Sequence, residues 1–423
     1  YPNARRPDWP EAEFIVGNPP FIGNKRMVEF LGEEYSLALR HTYGDVPESV
    51  DFVMYWWDRA AEAVGGRRVR RFGLVTTNSI TQNFNRRVLV RHMQAPKKPI
   101  SLAMASANHP WTKADSGSAA VRIAMSVGQP GRAIPGVLFS VDHETGLNTD
   151  APQIDYSTRI GVISSDLSVG PATSNAVVLR ANADMAHQGV ILLGEGFRLT
   201  PEELPILGLD PHALPPTVRP YVIGRDLVQH REERYVIDFN GLTAQEARTE
   251  YPRLFGVILE RVKPQRDLVR RDKRRENYWL HAEPVTRMRD SMRELVRIVV
   301  TCRTAKHRLF SFLPASYLPD AKVIAITVSD SDYLAVLSST AHGLWAERTG
   351  ARLGVGDDLN YNHSECFGTF PFPDPSDAIR ARLRDLGEEL DATRKTVQVE
   401  HPDLTLTGLY NVLEKIRAGT PLD

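Results

Sequence analysis

Along roughly the first 130 residues, apolar residues recur with two different periods. Short apolar runs that end in polar or turn-forming residues predict buried strands at 12–16, 72–77, 100–106 and 119–128. Apolar residues at helical spacing predict helices at 26–39, 51–64 and 84–93. The alternation of strands and helices indicates an α/β fold, and we expect its sheet to be largely parallel.

The pattern changes after residue 130, where turn-forming residues and short alternating strands become frequent. The range 141–177 is rich in Ser, Thr, Asp, Gly and Pro, which predicts a linker. A mixed α+β region is predicted at 178–373, and amphipathic charged stretches predict a helical segment at 374–423. Together with the α/β part at 1–140, the sequence predicts three structured parts and one linker.

Composition limits the class of protein. The chain has 423 residues, 42% hydrophobic and 25% charged, which is typical of a folded protein with two or three domains. Its two cysteines, Cys302 and Cys366, form no C-x-x-C pair, so we expect no disulfide framework, no metal site and a cytoplasmic location. No apolar run is long enough for a membrane span or a signal-peptide core, so we expect no membrane partner. Because the first residue is Tyr rather than Met, we expect the chain to begin partway through a longer polypeptide.

The candidate chemistry lies in the tetrapeptide Asn18-Pro19-Pro20-Phe21, directly after the first predicted strand. Two prolines fix the backbone, so the Asn18 side chain and the adjacent carbonyl present two hydrogen-bond acceptors at one point. Such acceptors can bind both hydrogens of an exocyclic amino group and turn its nitrogen lone pair toward an electrophile. The Phe21 ring can stack on a planar base. Since prolines are common in turns, a purely structural loop is the alternative.

This loop resembles the fourth motif of N6-adenine DNA methyltransferases, (Asn/Asp/Ser)-Pro-Pro-(Tyr/Phe/Trp), and FGLVTTNSI at 72–80 looks like the next conserved strand of that family. The resemblance implies that the Asn18 side chain and the Pro19 carbonyl hold the adenine amino group and that Phe21 stacks on the base. Together with Pro20, these residues form the catalytic tetrapeptide that the resemblance implies. It also implies that S-adenosylmethionine is the methyl donor. Asp51 and Phe52 would lie beside the donor, whereas the aromatic residues that follow them are more typical of a core.

The same family binds its donor in a glycine-rich turn, and no such turn precedes Asn18. Downstream, VILLGEGFRL at 190–199 contains Gly-x-Gly, but its end continues like a strand, so a hairpin turn is the preferred interpretation. We therefore expect an unpermuted enzyme of the γ motif order whose main donor-binding turn lies outside this chain. The implied fold at 1–140 is a partial class I (Rossmann-like) methyltransferase domain.

Positive charge is concentrated between Arg261 and Arg308, where 15 Lys or Arg occur with 6 Asp or Glu. Over the whole sequence, 52 Lys or Arg balance 52 Asp or Glu. The densest cluster predicts phosphate contacts, which give affinity but no sequence information. This cluster comprises Arg270, Arg271, Lys273, Arg274 and Arg275. A solvated helix face with internal ion pairs is the alternative.

A second basic group follows a strand predicted at 297–303, and it comprises Arg303, Lys306, His307 and Arg308. Arg and Lys read guanine edges in the major groove, so we expect this group to contact double-stranded DNA. The surrounding region resembles the target-recognition domain of type IIG and type IIL restriction-modification methyltransferases and of related phage-defence systems such as DISARM. The segments that carry this resemblance are VRPYVIGRDL at 218–227, LWAERTGARLGVGDD at 344–358 and FGTFPFP at 367–373.

The resemblance extends over most of 178–373 and implies an α+β target-recognition domain, followed by a short helical C-terminal segment. Tyr221 and Asp226 are expected to be scaffold residues, and the FPFP element is expected to pack the domain against its neighbour. The expected protein partners are the N-terminal part of the same polypeptide and restriction or defence-system subunits. Asp320-Ala321-Lys322 lacks the partner carboxylate of a two-metal nuclease, so we expect nuclease activity to lie elsewhere.

The leading hypothesis is that the chain is the base-handling and DNA-reading portion of a DNA N6-adenine methyltransferase. A DNA-specificity module without catalysis of its own is the second hypothesis. A methyltransferase acting on RNA or on protein glutamine is the third, because Asn-Pro-Pro-aromatic loops also serve those groups. The long recognition-like region argues against the third.

Overall fold

The computed structural model describes the chain except for residues 2, 112–121, 148, 150, 171–175, 270, 354–357 and 420–423. For residues 83, 351–353 and 358 only the backbone is described. The chain forms two compact units, Tyr1–Asn175 and Ala176–Asp423, here called unit 1 and unit 2. Arg270 and part of the recognition-like segment 344–358 therefore lie outside the described residues.

Unit 1 contains six described strands and four described α-helices. The strands are β1 (Phe14–Gly17), β2 (Arg71–Thr77), β3 (Ile100–Pro110), β4 (Arg122–Pro130), β5 (Gly136–Thr145) and β6 (Gln153–Gly161). The helices are α1 (Met27–Leu31), α2 (Glu33–Thr42), α3 (Val53–Gly65) and α4 (Asn83–Met93). All seven elements predicted between residues 12 and 130 are present within this set, although one predicted helix is divided.

The strands of unit 1 form one sheet in the order β1-β2-β4-β3-β5-β6. β1 with β2 and β3 with β5 are parallel pairs, whereas the other three neighbouring pairs are antiparallel. The expectation of a largely parallel sheet is therefore wrong, and the sheet is mixed. The cause is chain length, because only residues 111–121 connect β3 to β4, and a parallel pair needs a longer crossover.

Glycine divides the helix predicted at 26–39. α1 ends at Gly32, whose φ of 82° lies in the left-handed region, and α2 begins directly after it. Glycine adopts this conformation without the steric cost that a Cβ would bring. One periodic pattern therefore gives two short helices.

The range 141–177, predicted as a linker, contains the end of β5 and the whole of β6. These two strands pair from Gly136↔Gly161 to Thr145↔Gln153. β6 is an edge strand whose side chains are mostly exposed or partly exposed, which explains why its sequence is rich in polar residues. The composition that suggested a linker therefore reflects a solvent-facing hairpin, and this part of the prediction is corrected.

Helix α3 carries the core of unit 1. Ten of its 13 residues are buried. The ring of Trp57 packs edge-to-face on Phe72 of β2, with centroids 5.3 Å apart, and its indole Nε1 donates a hydrogen bond to Ser126 Oγ of β4 at 3.1 Å. A buried indole needs such an acceptor. These contacts fix α3 over the centre of the sheet.

Unit 2 contains eleven described strands and ten described α-helices. The strands are β7 (Ala186–Gln188), β8 (Arg198–Leu199), β9 (Val218–Val222), β10 (Tyr235–Ile237), β11 (Arg297–Cys302), β12 (Thr304–Ala305), β13 (Phe310–Pro314), β14 (Leu318–Pro319), β15 (Val323–Ile326), β16 (Ala351–Leu353) and β17 (Asp358–Asn360). The helices are α5 (Glu203–Ile206), α6 (Ala244–Glu250), α7 (Pro252–Arg261), α8 (Lys263–Asp267), α9 (Asp272–Glu276), α10 (Thr286–Met292), α11 (Ser331–Leu337), α12 (Thr340–Thr349), α13 (Asp377–Glu400) and α14 (Leu406–Arg417).

Three small sheets organise unit 2, in the orders β14-β9-β10-β8, β13-β11-β15-β7 and β12-β17-β16. Strand β11 is central to the second sheet and confirms the strand predicted at 297–303. Its successive side chains enter two different apolar clusters, Ile298 and Val300 in one and Val299 in the other. A strand buried on both faces needs an unbroken apolar run, which the sequence provides.

The FPFP element and the C-terminal helices pack within unit 2. The Phe370 ring lies 4.5 Å from the ring of His342 in α12 and 4.9 Å from that of Phe372, centroid to centroid. Helices α13 and α11 pack so closely that a Cβ on Gly387 would clash with the carbonyl of Ser331, so this position requires glycine. Across the described residues, no helix combines the length and apolar character that crossing a membrane would require.

Candidate functional site

The carboxyl ends of β1, β2 and β3 meet at one edge of the unit 1 sheet, where β5, which is parallel to β3, also ends. β1 is parallel to β2, and β3 runs in the same direction because both β2 and β3 are antiparallel to β4. The chain leaves this edge through the loop at Asn18–Phe21, the turn at Asn78–Thr81 and Trp111. Loops at the carboxyl edge of such a sheet are the usual place for ligands.

The tetrapeptide Asn18 to Phe21 lies at this edge, as predicted. Asn18 is exposed and Pro19 is buried. Among the described residues, none donates a hydrogen bond to the Asn18 side chain or to the Pro19 carbonyl, so both oxygens are available as acceptors. Phe21 is partly exposed, so its ring can be reached from solvent.

Trp111 contacts Phe21, and sequence analysis missed it. The two rings meet edge-to-face with centroids 6.4 Å apart, and Trp111 is 41% exposed. Its position directly after β3, the third strand that ends at this edge, is the signal that could have identified it. Two aromatic rings that solvent can reach therefore meet at this edge of the sheet, one of them within the tetrapeptide that contains Asn18.

Asp51 holds the segment after β1 in place, whereas the sequence analysis expected it beside the donor. Its Oδ1 accepts from the backbone N of Asn24 at 3.0 Å, and its Oδ2 accepts from Ser79 Oγ at 2.6 Å and Asn85 Nδ2 at 2.9 Å. In return, Asn85 Oδ1 accepts from the Asp51 backbone N at 2.9 Å. One carboxylate thus connects the loop after β1, the turn after β2 and the start of α4.

Phe52 also fixes this loop, because its backbone N donates to the carbonyl of Ile22 at 2.9 Å. Its side chain is 6% exposed and packs edge-to-face on Trp56 at 4.4 Å. Phe52 borders a cavity of about 220 Å³ whose other walls include Tyr43, Tyr55 and Arg59. The contacts observed for Asp51 and Phe52 are therefore structural contacts that shape the loop.

The first basic cluster divides into paired and unpaired side chains. Arg274 donates to Glu283 at 2.7 Å, and Arg275 pairs with Asp272. Arg271 and Lys273 are exposed, and neither side chain forms an ion pair with another described residue. Internal pairing and solvent-facing cations, the two alternatives drawn from the sequence, thus coexist within five residues.

Helix α14 meets the second basic group. Lys306 Nζ donates to Asn411 Oδ1 at 2.9 Å and pairs with Glu414 at 3.0 Å, while His307 Nε2 lies 2.8 Å from the same Asn411 Oδ1. Lys306 is exposed, and Arg303 is partly exposed. Sequence analysis missed Asn411 and Glu414, since more than 100 residues separate them from Lys306.

Arg308 belongs to the interior of unit 2. Its guanidinium donates to Thr301 Oγ1 at 3.2 Å, to the Cys302 carbonyl and to the Leu359 carbonyl at 2.8 Å. It also lies over the Tyr361 ring, 5.0 Å from the centroid. Burial lowers the pKa of Arg308 from its ordinary value, and the carbonyl acceptors compensate the guanidinium for lost water. Arg308 is thus a link between β11 and β17, with its guanidinium donating to acceptors of this chain.

The residues expected to be scaffold have that role. Tyr221 is 1% exposed and donates to Asp320 Oδ2 at 2.6 Å. Asp226 accepts from the backbone N of Ile223 at 2.9 Å and pairs with Arg234. Because Asp320 also accepts from the backbone N of Lys322 at 2.9 Å, its carboxylate stabilises a turn in unit 2.

Both cysteines are free and buried. Over the described part of the chain, no three His, Cys, Asp or Glu side chains are grouped so as to hold a metal ion. In the range 190–199, a short 3-10 turn at Glu195–Phe197 leads into β8 rather than into a helix. The Gly-x-Gly there therefore does not form the strand, turn and helix of a donor-binding site.

Comparison with known families identifies both units. Residues 2–135 match the family described as MmeI, DNA-methyltransferase domain. Residues 180–374 match the family described as MmeI, target recognition domain. No curated protein matches the sequence. The predicted order, an α/β methyltransferase domain followed by an α+β target-recognition domain and short C-terminal helices, is confirmed.

One solved structure shows the same fold over most of this chain. The type IIL restriction-modification enzyme MmeI in complex with DNA matches with a TM-score of 0.73 and 18% identity, over 94% of this chain and 51% of that chain. This chain thus spans about half the length of the MmeI chain. The DrdV–DNA complex matches with a TM-score of 0.38 and 11% identity, over 90% of this chain and 44% of that chain. The type IIG restriction endonuclease BpuSI matches with a TM-score of 0.31 and 11% identity, over 89% of this chain and 49% of that chain. The chain is built from the methyltransferase domain and the target recognition domain of the MmeI family.

Proposed function

We propose that this chain carries the acceptor side of methyl transfer from S-adenosylmethionine to N6 of an adenine, flipped out of a specific DNA sequence, within a restriction-modification system. The observation that carries the proposal is the position of Asn18 to Phe21 at the carboxyl end of β1, with the Asn18 side chain and the Pro19 carbonyl free to accept hydrogen bonds. The methyltransferase and target recognition domains of the MmeI family support it.

The residues of this chain account for how the base would be held. The amino group of a flipped adenine donates one hydrogen to Asn18 Oδ1 and the other to the Pro19 carbonyl. Because both acceptors act on one nitrogen, its lone pair is drawn out of conjugation with the ring and becomes nucleophilic. Phe21 stacks on the base, and Trp111, which contacts Phe21, limits its sideways movement.

S-adenosylmethionine would supply an electrophilic methyl group. Of the two residues predicted to touch it, Asp51 directs both carboxylate oxygens to groups of this chain, so we propose that it orients the loop, whereas Phe52 borders a cavity and stays a proposed donor contact. The steps that this chain performs are therefore binding, stacking and orienting the base.

Unit 2 is proposed to read the DNA. Arg271 and Lys273 are exposed and form no ion pair with another described residue, so they suit phosphates. Arg303, Lys306 and His307 lie together after β11 and suit base edges or phosphates. Arg274 and Arg275, which are paired within the chain, would reinforce the phosphate cluster. We withdraw Arg308 from the set of base-reading residues because its guanidinium is occupied inside unit 2.

The test is adenine methylation in the DNA of cells that express the protein carrying this chain, read by modification-sensitive sequencing. Asn18→Ala removes one acceptor and should abolish methylation, while affinity for DNA stays within about threefold of wild type. Asn18→Asp keeps an acceptor oxygen at the same place and should retain methylation. Unchanged methylation in Asn18→Ala would refute the catalytic assignment.

The wild-type protein distinguishes the alternative functions. DNA binding without methylation would favour a specificity module. Methylation of RNA or of a protein glutamine alone would favour a methyltransferase that acts on those substrates.

A further inference from the structure

An aromatic residue and two arginines project from the first turns of α4, beside the catalytic loop. Phe84 is 49% exposed, and the guanidinium of Arg87 lies over its ring, 5.2 Å from the centroid. Arg86 is partly exposed and Arg87 is exposed. Neither arginine forms an ion pair with another described residue. An exposed phenyl ring with unpaired cations at its side has no evident role in the core of unit 1.

The place of this group in the fold links it to the proposed active site. α4 begins six residues after the carboxyl end of β2, the edge at which Asn18 to Phe21 also lie. Asn85, the chain neighbour of both Phe84 and Arg86, is 5% exposed and donates to Asp51, which in turn accepts from Asn24 in the catalytic loop. The start of α4 is therefore tied to the segment after β1 through Asn85 and Asp51, and Phe84 and Arg86 are the direct chain neighbours of Asn85.

The charge around this group favours a polyanion. From residue 63 to residue 114 the sequence contains no Asp or Glu but ten Lys or Arg, in a chain that is neutral overall. Arg91, further along α4, pairs with Asp58, whereas Arg86 and Arg87 keep their charges uncompensated by any described carboxylate. Guanidinium groups bind phosphates with their fork of donors, and aromatic rings stack on bases of any sequence.

We propose that Phe84, Arg86 and Arg87 form a contact with the DNA strand next to the flipped adenine. Flipping leaves a neighbouring base with one face uncovered, and Phe84 stacks on or wedges against that face, while the two arginines hold the adjoining phosphates. This inference rests on the proposed function and adds to it a contact with the opened duplex, separate from Phe21 and Trp111, which hold the flipped base itself.

The chain offers a matched control at the opposite end of the same sheet. Phe14, the first residue of β1, is 50% exposed, and Arg70 lies over its ring at 5.5 Å. The pair has nearly the same exposure and geometry as Phe84 with Arg87, but it sits where β1 begins rather than where the catalytic loop leaves the sheet. Phe14→Ala therefore removes equal aromatic surface at a place that the proposal leaves free of DNA.

The experiment measures binding of the full chain to two fluorescent 30-base-pair duplexes of one sequence. One duplex is intact, and the other has an adenine opposite an abasic position, so that this adenine leaves the stack easily. Phe84→Ala should weaken binding to the opened duplex roughly tenfold and binding to the intact duplex less than about threefold. Phe84→Trp should bind both duplexes as the wild type does, and Phe14→Ala should change neither affinity. Arg86→Ala with Arg87→Ala should weaken both and reduce the slope of log affinity against log salt by about 1 to 2.

Equal affinities for Phe84→Ala and Phe14→Ala on both duplexes would overturn the inference while leaving the proposed function intact. Equal weakening of both duplexes by Phe84→Ala would overturn the stacking contact. If the wild type bound neither duplex, the proposed DNA-reading function would fail together with the inference. Thermal unfolding followed by circular dichroism should show unchanged midpoints for all variants, because the substituted side chains are exposed or partly exposed; a shifted midpoint for Phe84→Ala would contradict the surface role assigned to that ring.

Discussion

Arg308→Ala separates a structural role for this side chain from the base-reading role that its sequence context suggested. The side chain donates to three acceptors, Thr301 Oγ1, the Cys302 carbonyl and the Leu359 carbonyl, and so ties the end of β11 to β17. It also stacks on the ring of Tyr361. The substitution removes all of these contacts and leaves two backbone carbonyls without their charged donor.

The magnitude follows from these contacts. A hydrogen bond to a charged group contributes about 1.5 to 3 kcal/mol, and water can replace part of this at a side chain that is partly exposed. A cation over an aromatic ring adds about 0.5 to 1 kcal/mol. We therefore expect Arg308→Ala to lower the free energy of unfolding of unit 2 by about 3 kcal/mol, with a smaller loss for Arg308→Lys, which keeps the charge but not the planar fork.

Urea unfolding followed by far-UV circular dichroism measures this loss, with Lys306→Ala as the control. Lys306 is exposed and its ion pair with Glu414 is solvent-accessible, so its removal should change the free energy of unfolding by less than about 0.5 kcal/mol. The reasoning would be refuted if Arg308→Ala unfolded like the wild type and instead changed the methylated DNA sequence. That result would restore Arg308 to the base-reading group.

Three further predictions follow from single side chains. Asp51→Asn replaces a carboxylate oxygen that accepts from the Asn85 amide by an amide group, which weakens this hydrogen bond. The rate of methyl transfer, measured as kcat, should fall about 10- to 100-fold, while the Kd for DNA changes less than threefold. Equal losses in kcat and in DNA affinity would contradict a positioning role. Burial lowers the pKa of His342 to about 3, so as the pH drops the unfolded chain takes up a proton before the folded chain does. The urea concentration at the unfolding midpoint should therefore decrease as the pH drops below about 6.5. In His342→Phe this midpoint should decrease less steeply with pH. Arg67 has a φ of 58°, a left-handed conformation that costs energy for a residue with a Cβ but not for glycine. Arg67→Gly should therefore raise the thermal unfolding midpoint of unit 1. Arg68→Gly, the control at a residue without a positive φ, should not raise it.

The sequence by itself determined where most strands and helices of residues 12–130 lie, although not all of their ends. Apolar runs located β1, β2 and β11, and the prolines after β1 located the candidate loop at Asn18–Phe21, because backbone restriction and the burial of one face are properties of consecutive residues. Family resemblance then indicated the scaffold roles of Tyr221 and Asp226, which the contacts of these side chains support. The strand directions were less accessible, since a parallel or antiparallel pairing depends on connections and partners beyond each strand.

Only the tertiary structure decided which polar side chains are free. Lys306 and Arg308 are two residues apart, yet one is exposed and the other donates into the interior of unit 2. Asp51 likewise contacts Ser79 and Asn85, which follow it by 28 and 34 residues. Trp111 reaches Phe21 only because β1 and β3 end at the same edge of the sheet. The local pattern records the period of burial, whereas the partner of a donor or acceptor is set by packing between distant segments. Which described polar side chains lack an internal partner therefore emerged only from the fold.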